Sequence, residues 1–197
     1  EELNRVIPIL KKLRPKTNLK ISLDTYKSEV ARQALELGAD MINDVTALRA
    51  DPKMANIIAQ HKCPIILMYS KDSTPRTTTK DKKYSDVIKT IKTFLTQRIS
   101  YAKKHGIHPS QIIIDPGMGQ FISNLPKYSY EIIARLSELK SLKAQILLGH
   151  SRKSFLQVPM NKRDLLSQPL SAIASIQGAS IIRTHDVKGT YKCLNSL

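Results

Sequence analysis

The stretch QILLGHSRKSF at residues 145–155 decides how the rest of this chain is interpreted. Its apolar part, residues 146–148, ends at Gly149 and is typical of a short strand that is buried on both faces. The sequence SRK follows at residues 151–153. Ligands of parallel sheets and barrels bind where the strands end, because side chains there face a shared opening. The stretch therefore predicts a parallel strand that ends at a ligand site.

Three other stretches combine a short apolar strand with a polar end. They are ISLDT at 21–25, IIIDPG at 112–117 and IIRTHD at 181–186. Any one of them alone favours only a strand followed by a polar loop, but four together favour a common site. The strand at 19–25 alternates little between apolar and polar residues, so we expect it to be covered on both faces. Apolar runs at 39–45 and 64–68 predict two further strands.

Helical patterns separate these strands along the chain. Alternation of strands and helices predicts a parallel α/β sheet with right-handed crossovers. A polar connection as long as residues 69–83 is usually a functional lid or is disordered. Helices are predicted at residues 1–13, 28–37, 51–60, 84–105, 126–139, 170–176 and from 188 onward, with polar connections at 69–83 and 156–167.

Six predicted strands are fewer than a closed barrel of this type needs. A (β/α)8 barrel has eight strands and typically about 250 residues. The helical pattern at residues 1–13 has no strand before it. The six strands form either an open sheet or a barrel without its first two strands, and the helix with no strand before it favours the barrel. We therefore expect a single domain over residues 1–197, a TIM-type α/β barrel to which this chain contributes about six βα units and which lacks its first two strands.

The composition limits the classes of partner. The chain carries 32 Lys and Arg against 16 Asp and Glu, a formal net charge of +16, but the basic residues are dispersed and no nucleic-acid-binding motif accompanies them. Such a charge also attracts an anionic small substrate. No apolar run approaches the ~20 residues that span a bilayer. Cys63 and Cys193 lack metal-binding spacing, which favours a reducing, cytoplasmic location.

The polar residues at the strand ends indicate the chemistry of the site. Two carboxylates and a carboxamide suit a flat, nitrogen-rich heterocycle, and a buried carboxylate requires a cation or a ligand as partner. Side chains two apart on a strand point the same way, so Arg183 and His185 form a fork for phosphate or pyrophosphate. Taken alone, an ion pair of these two residues with Asp186 or with a neighbouring glutamate is the simpler interpretation. The candidates are Asp24, Asn43, Met68, Asp115, Ser151, Arg152, Lys153, Arg183 and His185.

Two of these candidates keep a structural alternative. Asp115-Pro116-Gly117 also reads as a turn in which the aspartate accepts backbone N–H groups and the glycine supplies a positive φ. Met68 is either core filler or an apolar wall for an aromatic ring.

The motifs IIIDPGMG, LGHSRKSF and IIRTHDV, with the stretch from Ile21 to Val45 before them, resemble dihydropteroate synthase of the folate pathway. SRKSF followed about 30 residues later by RTHDV is the most specific part of the resemblance. It implies a (β/α)8 barrel and a transferase. The implied reaction joins 6-hydroxymethyl-7,8-dihydropterin pyrophosphate to 4-aminobenzoate, which gives 7,8-dihydropteroate and pyrophosphate.

The resemblance also implies residue roles. Asp115 and Lys153 are expected to be catalytic, and Arg183 with His185 is expected to hold the pyrophosphate. Ser151, Arg152 and Phe121 are expected to line the 4-aminobenzoate pocket, and the pterin is expected to contact Asp24, Asn43, Met68, Asp115 and Lys153. Magnesium is expected to bind through the diphosphate and a loop that this chain lacks, so no metal ligand is expected here. A homodimer through the last helices is also expected.

The chain departs from the family's pattern at two places. Where the family has Met-His and a glycine-rich loop, this chain has Met68-Tyr69 and a Thr-rich stretch. Where the family has an aromatic residue after the DPGxG motif, this chain has Gln120, and its aromatic residue, Phe121, comes one position later. We expect the polypeptide alone to be inactive and poorly folded. The alternatives are a non-catalytic pterin-binding paralogue, a methyltetrahydrofolate methyltransferase-like protein and a basic nucleic-acid-binding module, the last supported by net charge alone.

Overall fold

Six parallel strands form one sheet in the order in which they follow along the chain. The computed structural model describes residues 1–196. The strands are β1 (Ser22–Asp24), β2 (Met41–Asp44), β3 (Ile65–Met68), β4 (Ile112–Asp115), β5 (Gln145–Leu148) and β6 (Ile181–Ile182). The helices are α1 (Glu2–Leu13), α2 (Ser28–Glu36), α3 (Met54–His61), α4 (Val87–Lys104), α5 (Pro126–Ala134), α6 (Met160–Ile176) and α7 (Val187–Leu194). The predicted alternation of six strands with helices is confirmed.

Helix α4 shows how local sequence sets an element. The side chain of Asp86 accepts a hydrogen bond from the Lys89 backbone N–H at 2.9 Å and so caps the first turn. Ile88, Ile91 and Leu95 share the buried face. Gly106 follows the helix with φ +84°, a left-handed conformation that glycine adopts without steric penalty.

The sheet curls as part of a barrel. Strands β1 and β6 lie at opposite ends of the strand order, yet Ser22 of β1 and Ile181 of β6 line the same cavity of about 670 Å³. Within residues 1–196 these two edge strands do not pair with each other. The inner face of the sheet is therefore concave and open between β1 and β6.

Alternate residues of each strand face the inside of the curl, as the two-residue period of a strand requires. A layer of apolar side chains, formed by Met41, Ile66, Ile113, Leu147 and Ile181, packs there. The next inward position along β2 to β6 is polar, sulfur-containing or glycine: Asn43, Met68, Asp115, Gly149 and Arg183, with Asp24 in the same layer on β1. The layer that holds the candidate site residues therefore lies next to the packed apolar layer, two residues further toward the carboxyl end of each strand.

Two expectations from the sequence are wrong. Strand β1 is not covered on both faces, because Ser22 and Asp24 are exposed at the open edge of the sheet. Helix α6 begins at Met160, ten residues before the predicted start. The first half of α6 carries mostly polar side chains, so its sequence shows no apolar pattern with the period of a helix. Hydrogen bonds stabilise this half instead, such as that from Arg163 Nε to the Val158 carbonyl at 2.9 Å.

The connection 69–83 has neither helix nor strand, as predicted. Over the described part of the chain, no helix combines the length and the apolar character that crossing a bilayer requires.

Candidate functional site

The polar strand ends meet around one opening, here called the strand-end cavity, of about 310 Å³. Eight of the ten side chains singled out from the sequence line it: Asp24, Asn43, Met68, Phe121, Ser151, Lys153, Arg183 and His185. Asp115 lies directly beneath them, because Arg183 lines the cavity and its Nη2 donates to Asp115 Oδ2 at 3.0 Å. Arg152 is the remaining one, and it does not line the cavity.

Asp115 is a buried carboxylate, with 1% of its surface exposed. Burial raises the pKa of Asp115, and the nearby charges of Arg183 and Lys153 and the Gly117 N–H oppose that rise. The Gly117 N–H donates to Oδ1 at 2.8 Å. The aspartate closes the turn, as the structural interpretation predicts, and it also pairs with Arg183, while its contact with a ligand stays a prediction. A negative charge held here is placed to stabilise positive charge on a ligand.

Asn43 joins the neighbouring strand end through its amide. Its Nδ2 donates to Asp24 Oδ1, and its own Oδ1 is buried without a hydrogen-bond partner among residues 1–196. A buried carbonyl oxygen without a donor is unfavourable. A ligand N–H that reaches this oxygen would thus be bound favourably.

Lys153 brings a half-buried cation to the same opening. Its Nζ lies 4.7 Å from the centroid of the Phe121 ring, a cation–π distance. Burial lowers the pKa of Lys153, and the charge of Asp115 opposes this effect. Lys153 and Phe121 also border a side pocket of about 250 Å³, and Gln120 and Ser154 form the rest of its lining.

Ser151 and His185 are linked across two strand ends. Ser151 Oγ lies 2.9 Å from His185 Nδ1 and accepts the His185 backbone N–H at 3.2 Å. Arg183 pairs with Asp115, whereas Asp186 accepts the Gly189 N–H at 2.9 Å and caps α7. The simpler alternative, an ion pair of Arg183 with Asp186, is therefore wrong.

Arg152 points away from the cavity because its backbone is left-handed, with φ +58°. Its guanidinium forms an ion pair with Asp164 of α6, with Nη2 2.6 Å from Oδ2. Arg163 Nη1 holds the Arg152 carbonyl at 2.9 Å. The structure therefore separates Arg152 from Ser151 and Lys153, and its expected contact with 4-aminobenzoate stays a prediction.

Gly149 is a site residue that the sequence analysis did not single out. A Cβ atom at this position would lie 2.5 Å from Arg183 Nη2 and 2.7 Å from Arg183 Nε. Only a residue without a side chain leaves room for this guanidinium beside Asp115. The signal was present, because Gly149 occupies the inward position two residues after Leu147.

Gly149→Ala is expected to displace the Arg183 guanidinium while the protein stays folded. The clash involves the end of a flexible side chain, and the φ of Gly149 is not in the left-handed region. We expect the affinity of the protein for diphosphate to fall about tenfold, because one charge-assisted hydrogen bond is lost. Calorimetric titration with pyrophosphate measures it, and an affinity equal to that of wild type would contradict the crowding argument.

His150 anchors the same loop to α6. It is fully buried, with Nε2 2.9 Å from the Ser167 carbonyl and 3.1 Å from Ser171 Oγ. Its Nδ1 is buried and makes no hydrogen bond within the described residues. Burial lowers the pKa of His150 from its ordinary value of 6.5.

The fold is expected to lose stability as the pH falls below about 6.5. The unfolded chain takes up a proton on His150 in that range and the folded protein does not, so the free energy of unfolding decreases by about 1.4 kcal/mol for each unit by which the folded pKa is lowered. Denaturant titrations at pH 7.5 and 5.5 measure this change. His150→Gln should remove part of the difference, whereas His61→Gln, at an exposed position at the end of α3, should not.

The described residues contain no group of three or more His, Cys, Asp or Glu placed to hold a metal ion. Asp115 is paired with Arg183, and the Asp24 carboxylate accepts the Asn43 amide. The side chains present at the cavity therefore do not form a magnesium site by themselves.

Comparison with known proteins agrees with this geometry. Residues 1–185 match the family described as pterin binding enzyme. The chain is 39% identical over 193 residues to a dihydropteroate synthase of Synechocystis sp., and 35% identical over 198 residues to one of Escherichia coli. These matches cover 95% and 98% of this chain. The chain belongs to the dihydropteroate synthase family of pterin-binding enzymes. The resemblance predicted from the motifs is thereby confirmed.

Solved structures of the family superpose on nearly the whole chain. A Stenotrophomonas maltophilia dihydropteroate synthase with imidazole in its active site has a TM-score of 0.93 at 33% identity, and the match covers 100% of this chain and 74% of that chain. Two Xanthomonas albilineans dihydropteroate synthase structures, with 4-aminobenzoic acid and with 7,8-dihydropteroate, have TM-scores of 0.90 and 0.88 at 34% identity. Each match covers 99% of this chain, and they cover 70% and 72% of those chains.

The chain spans about two thirds of the length of the curated relatives, 66% of the Synechocystis protein and 69% of the Escherichia coli protein.

Proposed function

We propose that this chain forms the substrate-binding part of a dihydropteroate synthase. The proposed reaction joins 6-hydroxymethyl-7,8-dihydropterin pyrophosphate to 4-aminobenzoate and releases pyrophosphate. The observation that carries the proposal is the meeting of Asn43, Lys153 and Arg183 at one opening, with Asp115 hydrogen-bonded to Arg183 beneath it, in a chain whose relatives bear this name.

The pterin ring is proposed to lie in the strand-end cavity. Its ring edge alternates donors and acceptors, and Asn43, Asp24 and Asp115 offer matching amide and carboxylate groups. Met68 is proposed as the apolar wall, which is supported by its position in the lining of this cavity at 1% exposure. Lys153 is proposed to donate to the ring carbonyl.

The diphosphate is proposed to bind at Arg183 and His185, where a guanidinium provides a fork of donors. When the C–O bond to the diphosphate breaks, the pterin methylene carbon carries positive charge, which the Asp115 carboxylate stabilises. The amine of 4-aminobenzoate then forms the new C–N bond and loses a proton. The protein contributes orientation and charge stabilisation without a side-chain nucleophile.

The aminobenzoate ring is proposed to occupy the side pocket, against Phe121 and near Ser151. Arg152 joins it only if its ion pair with Asp164 opens. Magnesium is proposed to bind through the diphosphate, and no step above depends on it.

Two further strands are proposed to close the barrel between β1 and β6, where an apolar cavity of about 670 Å³ is open. The 197-residue chain alone is therefore expected to be inactive, and turnover by the purified chain would contradict this. A homodimer is proposed through α6 and α7, which expose Leu165, Ile173, Ile176 and Tyr191. The free thiols of Cys63 and Cys193 support a cytoplasmic location.

The proposal is tested by incubating the full-length protein with both substrates and measuring pyrophosphate and dihydropteroate. Equal amounts of the two products are expected. Pterin binding without pyrophosphate release would instead establish a non-catalytic paralogue. Absence of both pterin binding and turnover would refute the proposed function.

A further inference from the structure

A second cavity, of about 570 Å³, lies outside the strand-end cavity and shares no lining residue with it. We call it the loop cavity, because residues 69–86 form one wall. The other walls are Arg49, from the loop after β2, and the first turns of α4. Adjacent residues divide the two cavities, since Met68 lines the strand-end cavity and Tyr69 lines the loop cavity.

The loop cavity has an excess of positive charge. Four basic side chains line it, those of Arg49, Lys71, Lys82 and Lys89. Asp86 is the one carboxylate among its lining residues. That carboxylate is already engaged, because it caps α4 and lies 3.2 Å from Arg135 Nη2.

Arg49 is held in place by neutral groups. Its Nε donates to the Thr46 carbonyl at 2.8 Å and its Nη2 to the Asp72 carbonyl at 3.0 Å, while the guanidinium lies 4.9 Å from the Phe94 ring centroid. No carboxylate among residues 1–196 comes within 4.0 Å of it. Burial disfavours the charged form of Arg49 and lowers its pKa, and the charge of Asp44, which forms no ion pair with it, offsets only part of that cost. An anion would relieve this cost.

Lys82 approaches from the opposite wall. Its Nζ lies 3.3 Å from the Tyr69 hydroxyl and 5.1 Å from the Tyr84 ring centroid, so aromatic groups position it. It too has no carboxylate within 4.0 Å in the described part of the chain. Arg49 and Lys82 are therefore both oriented by neutral partners and keep their charge for a ligand.

Hydroxyl groups complete the lining between these cations. Ser70, Ser85 and Thr93 line the cavity and each carries an O–H donor, whereas the Thr90 hydroxyl already donates to the Asp86 carbonyl at 2.8 Å. Guanidinium, ammonium and hydroxyl donors around one space match the several oxygens of a phosphate group. A carboxylate has only two oxygens and would leave more of these donors without a partner.

We propose that the loop cavity binds a phosphate-type oxyanion, either free phosphate or the phosphate group of a small organic ester, with Arg49 and Lys82 as its principal ligands. Lys71 lines the cavity but has no free donor, because its Nζ donates to Thr77 Oγ1 at 3.1 Å, to the Thr78 carbonyl at 2.6 Å and to the Gln120 carbonyl, and lies 3.5 Å from Asp72 Oδ2. Gln120 borders the side pocket. The anion thus binds beside the residue that ties the 69–83 loop to the strand-end region.

Titration of the full-length protein with inorganic phosphate, followed by calorimetry at low ionic strength, tests the site. Two phosphates are expected to bind, because Arg183 at the strand-end cavity also attracts this ion. Arg49→Gln and Lys82→Gln should each weaken one of them about tenfold or more and leave the other unchanged. Arg183→Gln should have the reverse effect, and Lys104→Gln, at an exposed position on α4, should change neither.

The same titration with glycerol 3-phosphate distinguishes the two sources of the phosphate group. Tighter binding of the ester than of free phosphate at the Arg49-dependent site assigns an organic ligand, and the reverse assigns the free ion. A single phosphate site that Arg183→Gln removes would overturn the proposal, as would wild-type binding in both Arg49→Gln and Lys82→Gln. If Arg49→Gln does not fold, Lys82→Gln decides, since its residue lies in a loop. The result does not depend on the proposed synthase activity.

Discussion

Asp115→Asn is expected to remove most of the turnover of the full-length enzyme without destabilising it. The carboxylate is buried at 1% exposure and burial raises its pKa, so the native state holds a charge at an unfavourable position. Asparagine has the same shape, and its Oδ1 can still accept the Gly117 N–H. The free energy of unfolding at pH 7 should therefore stay unchanged or increase.

The activity should respond in the opposite direction. A neutral amide cannot stabilise positive charge on the pterin methylene carbon, and a preorganised electrostatic group of this kind contributes about a hundredfold or more to the rate. Steady-state kinetics, pterin titration and denaturant unfolding measure the three quantities. Asp81→Asn makes the same chemical change at an exposed loop position and should alter none of them. Unchanged pterin affinity together with unchanged turnover would exclude the proposed role of Asp115.

Arg183→Gln is expected to weaken diphosphate binding and also to destabilise the fold. Arg183 is the strongest of the charges that favour ionised Asp115. Removal of one partner of a fully buried ion pair costs about 3–5 kcal/mol. The Arg183 side chain is 42% exposed, so solvent screening reduces the expected loss to about 1–2 kcal/mol.

The decrease in the free energy of unfolding caused by Arg183→Gln should depend on pH. The raised pKa of Asp115 means that the folded protein keeps the proton to a higher pH than the unfolded chain, whose aspartate titrates near 3.8. Below that pH both states are protonated and Arg183 contributes little. Arg183 stabilises the folded protein only where Asp115 is ionised in it, so the destabilisation should begin near the folded pKa of Asp115, above 3.8, and grow until Asp115 is ionised in the folded variant as well.

A double-mutant cycle isolates this ion pair. Asp115→Asn combined with Arg183→Gln removes the buried charge together with its partner, so the double variant should recover the stability lost by Arg183→Gln alone. Denaturant unfolding at pH 7 of the four proteins gives the coupling energy, expected at about 1–2 kcal/mol. A double variant as unstable as Arg183→Gln would show that Arg183 stabilises the fold through other contacts.

Some errors of prediction have a common physical origin. The start of α6 at Met160 was missed because its first half makes polar contacts, such as Ser167 with His150, and has no apolar stripe. Strand β1 was expected to be covered because its residues alternate little, yet it lies at the open edge of the described sheet. Both depend on neighbours distant along the chain, which local patterns do not record.

The sequence by itself determined the alternation of strands and helices and the set of residues at the strand ends. Both follow from local rules, the periods of 2 and 3.6 residues and the position at which an apolar run stops. The two-residue period also accounts for the layer that contains Asn43, Asp115 and Arg183.

Only the tertiary structure decided which neighbouring side chains enter the site. Arg183 pairs with Asp115, which is 68 residues away in the chain. Gly149 belongs to the site only because the Arg183 guanidinium occupies the space that a Cβ atom at this position would need. Arg152 leaves the cavity although Ser151 and Lys153 line it, because contacts from α6 accompany its left-handed backbone. Such choices depend on the sum of contacts between distant segments, which no short stretch of sequence contains.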